Sequence, residues 1–154
     1  MIQTIIFDFV GVIVDSGGLL TPEAYEVFEQ MAPKYHLYIN SGTPEEALRE
    51  TVHALGIEGF FDGVFGYHAE YGDVITSKFE NGKKIFAAEN IAAKEAAFVG
   101  DGEADRAAAE RLGCFFIGMA NQHNGWRKMP FPLAENLRDV RALIEEKKQE
   151  RGKM

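Results

Sequence analysis

Apolar residues in this chain come in short unbroken runs, and between the runs the pattern changes to helical spacing. Residues 2–9, 35–40 (YHLYIN), 63–67 (GVFGY), 96–99 (AAFV) and 114–117 (CFFI) each read as a strand. Continuous rather than alternating apolarity predicts strands covered on both faces, as in a parallel sheet. The intervening segments carry helix signals. Thr21 stands at an N-cap position with Pro22 first in the helix, which runs to about Met31. TPEE (43–46) and SKFE (77–80) are capping boxes, opening helices that stop near Gly56 and about Asn90. Residues 103–112 are Ala-rich and end at Gly113, and residues 135–148 form a charged amphipathic helix. Strands and helices alternate, which predicts an α/β, doubly wound parallel sheet. Residues 1–148 form one domain without repeat or linker, and 149–154 read as a frayed tail.

Composition narrows the function. With 46% hydrophobic and 26% charged residues the chain has the profile of a globular domain. A net charge of −8 argues against nucleic acid or an anionic membrane surface as partner. No apolar run reaches the roughly 18 residues of a membrane span. Cys114 is the single cysteine and lies in an apolar run, so it reads as a buried structural thiol. One cysteine permits no intrachain disulfide, which fits a reducing, cytoplasmic setting.

In doubly wound sheets ligands sit beyond the carboxyl ends of the strands. Those ends carry Asp8 after the first strand, Ser41 and Gly42 after the second, and Gly100 and Asp101 after the fourth. Lys78 stands near the start of the helix leading to that fourth strand. Each part has a bland reading as a turn, a cap or a solvated lysine. Together they form a phosphoryl site. Two carboxylates at neighbouring strand ends repel unless a cation lies between them, and with oxygen ligands and no nearby His or Cys the expected ion is Mg²⁺. A hydroxyl, a glycine N–H and a lysine cradle a phosphoryl group. The carboxylate of Asp8 can act as the nucleophile.

The motifs resemble those of the haloacid dehalogenase-like (HAD) superfamily, mostly Mg²⁺-dependent phosphatases. IIFDFVGVIVDS (5–16) is similar to the first motif, hhhDxDGxxxDS; INSGTP (39–44) to the second; Lys78 to the third; and FVGDGEAD (98–105) to the fourth, GDxxxD. The resemblance covers residues 2 to about 143. It implies that Asp8 is nucleophile and metal ligand, that the backbone carbonyl of Val10 and the carboxylate of Asp101 are further ligands, and that Asp105 supports them from behind. It implies that Ser41, Gly42 and Lys78 hold the phosphoryl group of a small phosphorylated substrate. Asp15 matches an acidic position with a structural, turn-capping reading.

One position departs from the pattern. The family's phosphatases carry a second Asp two residues after the nucleophile, which protonates the leaving group and then activates water; here that residue is Val10. Loss of a general acid/base lowers rates by about 10²- to 10⁴-fold. Three readings follow: substrates whose leaving groups need little protonation, such as acyl or aryl phosphates; replacement by another group, with His36, His53, His68 and His123 as candidates; or a catalytically impaired phosphoryl-binding or regulatory module. Dehalogenase-type hydrolysis ranks lower. It goes with a sizeable cap after the first motif, and the intervals from Asp8 to Ser41 and from Ser41 to Lys78 hold only single helices, a short strand and loops. Without a cap, residues 16–20, 67–76 and 120–132, a large substrate or a homo-oligomeric partner must shape the site. In the last of those loops Trp126, Arg127 and Lys128 read either as an anion contact or as an ordinary loop with Trp126 folded onto the domain. A phosphoacceptor receiver domain is set aside because its acids sit on other strands. A dinucleotide-binding domain is set aside because DFVGV (8–12) offers no G-x-G-x-x-G loop.

Overall fold

The computed structural model describes the backbone of residues 1–152 and the side chains of residues 1–147. Six parallel strands form one sheet in the order β3-β2-β1-β4-β5-β6. They are β1 (Thr4–Phe7), β2 (His36–Pro44), β3 (Gly63–Tyr67), β4 (Ala96–Gly100), β5 (Phe115–Met119) and β6 (Leu133–Ala134). The described residues also form five α-helices, four between strands and the last after β6: α1 (Ala24–Met31), α2 (Glu45–Ala54), α3 (Val74–Glu89), α4 (Glu103–Leu112) and α5 (Leu137–Gly152). This is the α/β, doubly wound sheet that the sequence predicts, and the described residues include no cap domain. The backbone of α5 continues to Gly152. The side chains of the proposed tail, and all of Lys153 and Met154, lie outside the described residues.

Unbroken apolarity in β1 has the expected cause. Ile5 and Phe7 point to one face, where they join Val27, Phe28 and Met31 of α1 and Leu137, Val140 and Ile144 of α5. Ile6 points to the other, with Phe98 of β4, Ile85 of α3 and Ala108, Ala109 and Leu112 of α4. Phe7 and Phe28 meet edge to face at 5.3 Å between ring centres. Burying one such side chain stabilises the fold by about 1.5–3 kcal/mol. The small residues of α4 let it approach α3 closely; a Cβ at Gly82 would overlap Leu112.

Several helix starts differ from the sequence expectation. The first helix begins at Ala24 rather than Pro22, after a turn closed by the Ala24 N–H on Thr21 O at 3.1 Å, and the residue before it, Glu23, is buried. Its carboxylate accepts from the Leu137 N–H at 3.3 Å and so caps α5 from another element. The TPEE box does not form. Strand β2 continues through Pro44 with a register shift after Asn40, and Ser41 Oγ accepts from the Thr43 N–H at 3.1 Å. The SKFE box is also absent. Helix α3 starts four residues earlier, because Asp73 accepts from Thr76 N–H at 2.7 Å and is the N-cap. Ser77 and Lys78 therefore lie inside the helix and are buried. Strand β6 is a two-residue element within a Pro-rich stretch with no apolar run to announce it. Cys114 is half-buried just before β5, and burial pushes its thiol up to about 12.

Candidate active site

Strand register assembles the site. Phe7 of β1 pairs with Ile39 of β2 on one side and Val99 of β4 on the other. Asp8, Asn40 and Gly100 thus stand level at the carboxyl edge, with Ser41 and Asp101 one residue beyond. The Asp8 N–H still donates to Val99 O at 2.9 Å, so the acid leaves the sheet from a fixed backbone.

Side chains converge on one buried amine. Lys78 Nζ lies 3.4 Å from Asp8 Oδ1 and forms a short ion pair with Asp105 Oδ1. Lys78, Asp8 and Asp105 are all buried, and the carboxylates of Asp8, Asp101 and Asp105 bring oxygen atoms within 4.8 Å of one another. Lys78 is aimed by a relay of buried amides. Asn40 Nδ2 donates to the Lys78 carbonyl at 2.9 Å, and Asn81 Nδ2 donates to Asn40 Oδ1 at 3.1 Å and to Gly66 O at 2.9 Å. Asp105 Oδ2 accepts from the N–H groups of Asp101 and Gly102, both at 3.2 Å, which fixes the turn that presents Asp101. A Cβ at Gly100 would overlap the Asp105 side chain.

Three carboxylates around one lysine leave the cluster with excess negative charge. Burial, then the nearby charge of Asp105, raises the carboxyl of Asp8 well above its usual range, against the pull of Lys78. Burial likewise raises Asp101, against a hydrogen bond from Asn121. Burial works against the charged amine of Lys78, yet Asp105 and Asp8 together raise it. Such a cluster favours a bound cation. The Gly11 backbone, at φ +88°, passes so close to Asp101 that a Cβ there would overlap its carboxylate. The Val10–Gly11 peptide is therefore beside the carboxylate cluster. The all-oxygen donor set suits a hard ion such as Mg²⁺.

Other expected residues fall in various places. Ser41 is buried in β2 just past the register shift at Asn40, with its hydroxyl turned to Thr43 at 3.2 Å. Gly42 is held against Val74, where a Cβ would be tight. Val10 is 46% exposed, an apolar side chain facing solvent. Asp15 Oδ1 accepts from Gly17 and Leu19 N–H groups, the turn-capping role. No histidine is a hydrogen-bond or ion-pair partner of Asp8 among the described residues: His36, His53 and His68 pair with other carboxylates. His123 is exposed and lines a cavity of about 590 Å³ between residues 14–21 and 120–123, bordered by Gly11 and Asn121. Trp126 folds onto Phe116 and Phe131, while Arg127 and Lys128 are exposed.

Sequence reasoning missed four asparagines: Asn40 and Asn81 in the relay behind Lys78, and two more that hold Asp101. Asn121 Nδ2 donates to Asp101 Oδ2 at 3.0 Å, and Asn124 Nδ2 donates to the Asp101 carbonyl at 2.9 Å. The loop holds itself by Asx turns, in which Asn121 Oδ1 accepts from His123 and Asn124 N–H groups. The N-x-x-N-G spacing after a buried strand was the available signal.

Comparison with known proteins agrees with this geometry. Residues 16–113 match the family of haloacid dehalogenase-like hydrolases. The chain belongs to the haloacid dehalogenase-like hydrolases. The matched segment holds Ser41, Lys78, Asp101 and Asp105 and begins after Asp8. No curated protein matches the sequence. Among solved structures, a haloacid dehalogenase-like hydrolase from Streptococcus pneumoniae superposes with a TM-score of 0.79 at 17% identity, over 93% of this chain and 98% of that one. The core domain of a candidate phosphoglycolate phosphatase from the same species gives 0.69 at 16% identity, over 94% and 96%. L-2-haloacid dehalogenase from Xanthobacter autotrophicus gives 0.73 at 14% identity, over 94% and 99%. At these identities the superpositions establish the haloacid dehalogenase-like fold and leave the reaction to the side chains.

Proposed function

We propose that this haloacid dehalogenase-like hydrolase acts on small phosphorylated substrates through an aspartyl-phosphate at Asp8. The observation that carries the reading is the cluster of buried Asp8 and Asp105 and half-buried Asp101 around Lys78 at the carboxyl edge of the sheet. An Asp8 carboxylate oxygen attacks phosphorus, the bond from phosphorus to the leaving oxygen breaks, and that oxygen takes a proton from solvent. Water then attacks phosphorus, the bond to Asp8 breaks, and phosphate is released. Ser41 Oγ, the Gly42 N–H and the Lys78 amine hold the phosphoryl oxygens. Asp8, Asp101 and the Val10 carbonyl would hold Mg²⁺, with Asp105 behind them. The ion would offset the negative charge of the carboxylates and of the phosphoryl group.

Val10 directs the chemistry. A hydrocarbon two residues after the nucleophile neither protonates a leaving group nor activates water, so acyl and aryl phosphates are the favoured substrates. The exposed Val10 and the absence of a cap leave the site open to solvent, and substrate choice falls to the neighbouring loops or to a second subunit. The net charge of −8 disfavours nucleic acid, no described helix is long and apolar enough to cross a membrane, and the setting we propose is cytoplasmic. The same valine supports a second reading, a phosphoryl-binding regulatory module with little turnover.

The test is Mg²⁺-dependent phosphate release from an aryl phosphate, an acyl phosphate and several sugar phosphates, using this chain, Val10→Asp and Asp8→Asn. Val10→Asp is expected to gain about 10²-fold or more on sugar phosphates, and Asp8→Asn to be inactive. Activity of the unaltered chain confined to good leaving groups supports the hydrolase. Phosphate binding with no release by either this chain or Val10→Asp favours the binding module.

A further inference from the structure

A second group of ligating side chains converges at the opposite end of the sheet from Asp8. His36 opens β2, Asp62 immediately precedes β3, and Glu89 closes α3. His36 Nδ1 lies 2.8 Å from Asp62 Oδ2 and 3.1 Å from Glu89 Oε2. All three ligand atoms fall within 4.8 Å of one another. One imidazole nitrogen carries at most one proton, so Nδ1 can donate to only one of the two carboxylates. Glu89 Oε2 is the one left over: this oxygen is shielded from solvent and accepts no hydrogen bond, although the Tyr38 hydroxyl hydrogen-bonds to the Glu89 carboxylate. A desolvated anionic oxygen without a donor is costly. A cation resolves the conflict, because the nitrogen and both oxygens can then all direct lone pairs at it. The spacing is suitable. Ligands roughly 2.0–2.1 Å from a common ion stand about 2.9 Å apart at octahedral angles and about 3.4 Å apart at tetrahedral ones. The two contacts of Nδ1 lie at or near that range.

We infer that His36, Asp62 and Glu89 form a second divalent-cation site, separate from the Asp8 cluster and suited to Zn²⁺ or a similar ion. An imidazole nitrogen among carboxylates favours such ions over Mg²⁺. The side chains of His36 and Asp62 are 57% and 50% exposed, so the ion enters without opening the fold and water completes its coordination. A groove of about 220 Å³ bordered by both residues leaves room for that water. The site joins three elements, one of which is α3. Lys78 stands on the same helix about 16 Å away, at 1.5 Å per residue.

The test is equilibrium dialysis of the full chain against Zn²⁺ with excess Mg²⁺ present to occupy the carboxylates near Asp8. The unaltered chain is expected to bind one equivalent more than His36→Ala. Asp62→Asn and Glu89→Gln should each weaken Zn²⁺ binding by at least about tenfold, the lower end of what even an outer-shell partner contributes. His53→Ala removes an imidazole that faces a single carboxylate, Glu58 at 2.7 Å, and should leave Zn²⁺ uptake unchanged. Circular dichroism of each variant checks the fold, and His36, being exposed, tolerates truncation. Equal uptake by the unaltered chain and His36→Ala, or an equal fall in His53→Ala, overturns the assignment.

Discussion

Replacing Lys78 by methionine keeps the length and apolar stem of the side chain and deletes only the charge. The consequence follows from what surrounds the amine. Asp8 lies 3.4 Å away and Asp105 is in direct contact, and both are buried. Removing one partner of a buried ion pair costs about 3–5 kcal/mol, because the remaining charge is left uncompensated. A domain of this kind has only about 5–15 kcal/mol of stability in all. At roughly 2–4 °C per kcal/mol, the melting temperature should fall by about 6–20 °C at neutral pH. The pH dependence gives the sharper check. Burial and Asp105 already hold the Asp8 carboxyl well above its unfolded value, and loss of Lys78 raises it further. Stability linked to a raised carboxyl is fully present below the unfolded value, near 3.9, and is lost as pH rises through the folded one. Lys78→Met should therefore come closest to the unaltered chain in mild acid and fall furthest behind above neutrality. Urea melts of both proteins across that range, with exposed Lys83→Met as control, measure the difference. A constant gap at all pH values, or no gap at pH 7, would refute the account of Lys78 as counter-charge to the acid cluster.

Two further predictions rest on other contacts. Gly11→Ala places a Cβ against the Asp101 carboxylate at a backbone with φ +88°, so Mg²⁺ protection against heat should weaken markedly; isothermal titration of Mg²⁺ reads the affinity directly. Burial opposes ionisation of Glu45, but hydrogen bonds from the Gly66 N–H and from His68 hold its carboxyl below the usual range. Its contribution is thus present above the unfolded value and lost as pH falls through the folded one, so Glu45→Gln should destabilise near neutrality and converge with the unaltered chain in acid melts.

How much of this was legible in the sequence depends on the range of the interaction. Asp8 and Asp101 could be placed because each immediately follows a strand, and Lys78 because it lies near the start of the helix that leads to β4; strand register does the rest. The capping boxes at Thr43 and Ser77 failed because a competing local partner won: Asp73 caps α3, and Ser41 occupies the Thr43 N–H. Glu23 leaves its own helix to cap α5, a contact across more than a hundred residues that no local pattern encodes. The same holds for the Asn40–Asn81 relay and for Asn121 and Asn124 at Asp101. An asparagine in a sequence reads as a turn former, and its second use, holding a distant carbonyl or carboxylate, appears only when the chain is folded. Strand β6 was hidden by its length, since two residues carry no periodicity. Trp126 showed its bland alternative to be the true one, packed against Phe116 and Phe131.

The central place of β1 in the sheet also bears on how the chain acquires its structure during synthesis. Its neighbours are β2 on one side and β4 on the other, and β4 ends at Gly100. Ribosomes add roughly 5–20 residues per second, so several seconds separate the emergence of β2 from that of β4. Through that interval one edge of Ile5, Ile6 and Phe7 lacks its partner, and contacts this distant in sequence form slowly. Asp8 leaves the ribosome before Lys78, Asp101 and Asp105, and it reaches its final surroundings only when all three have followed.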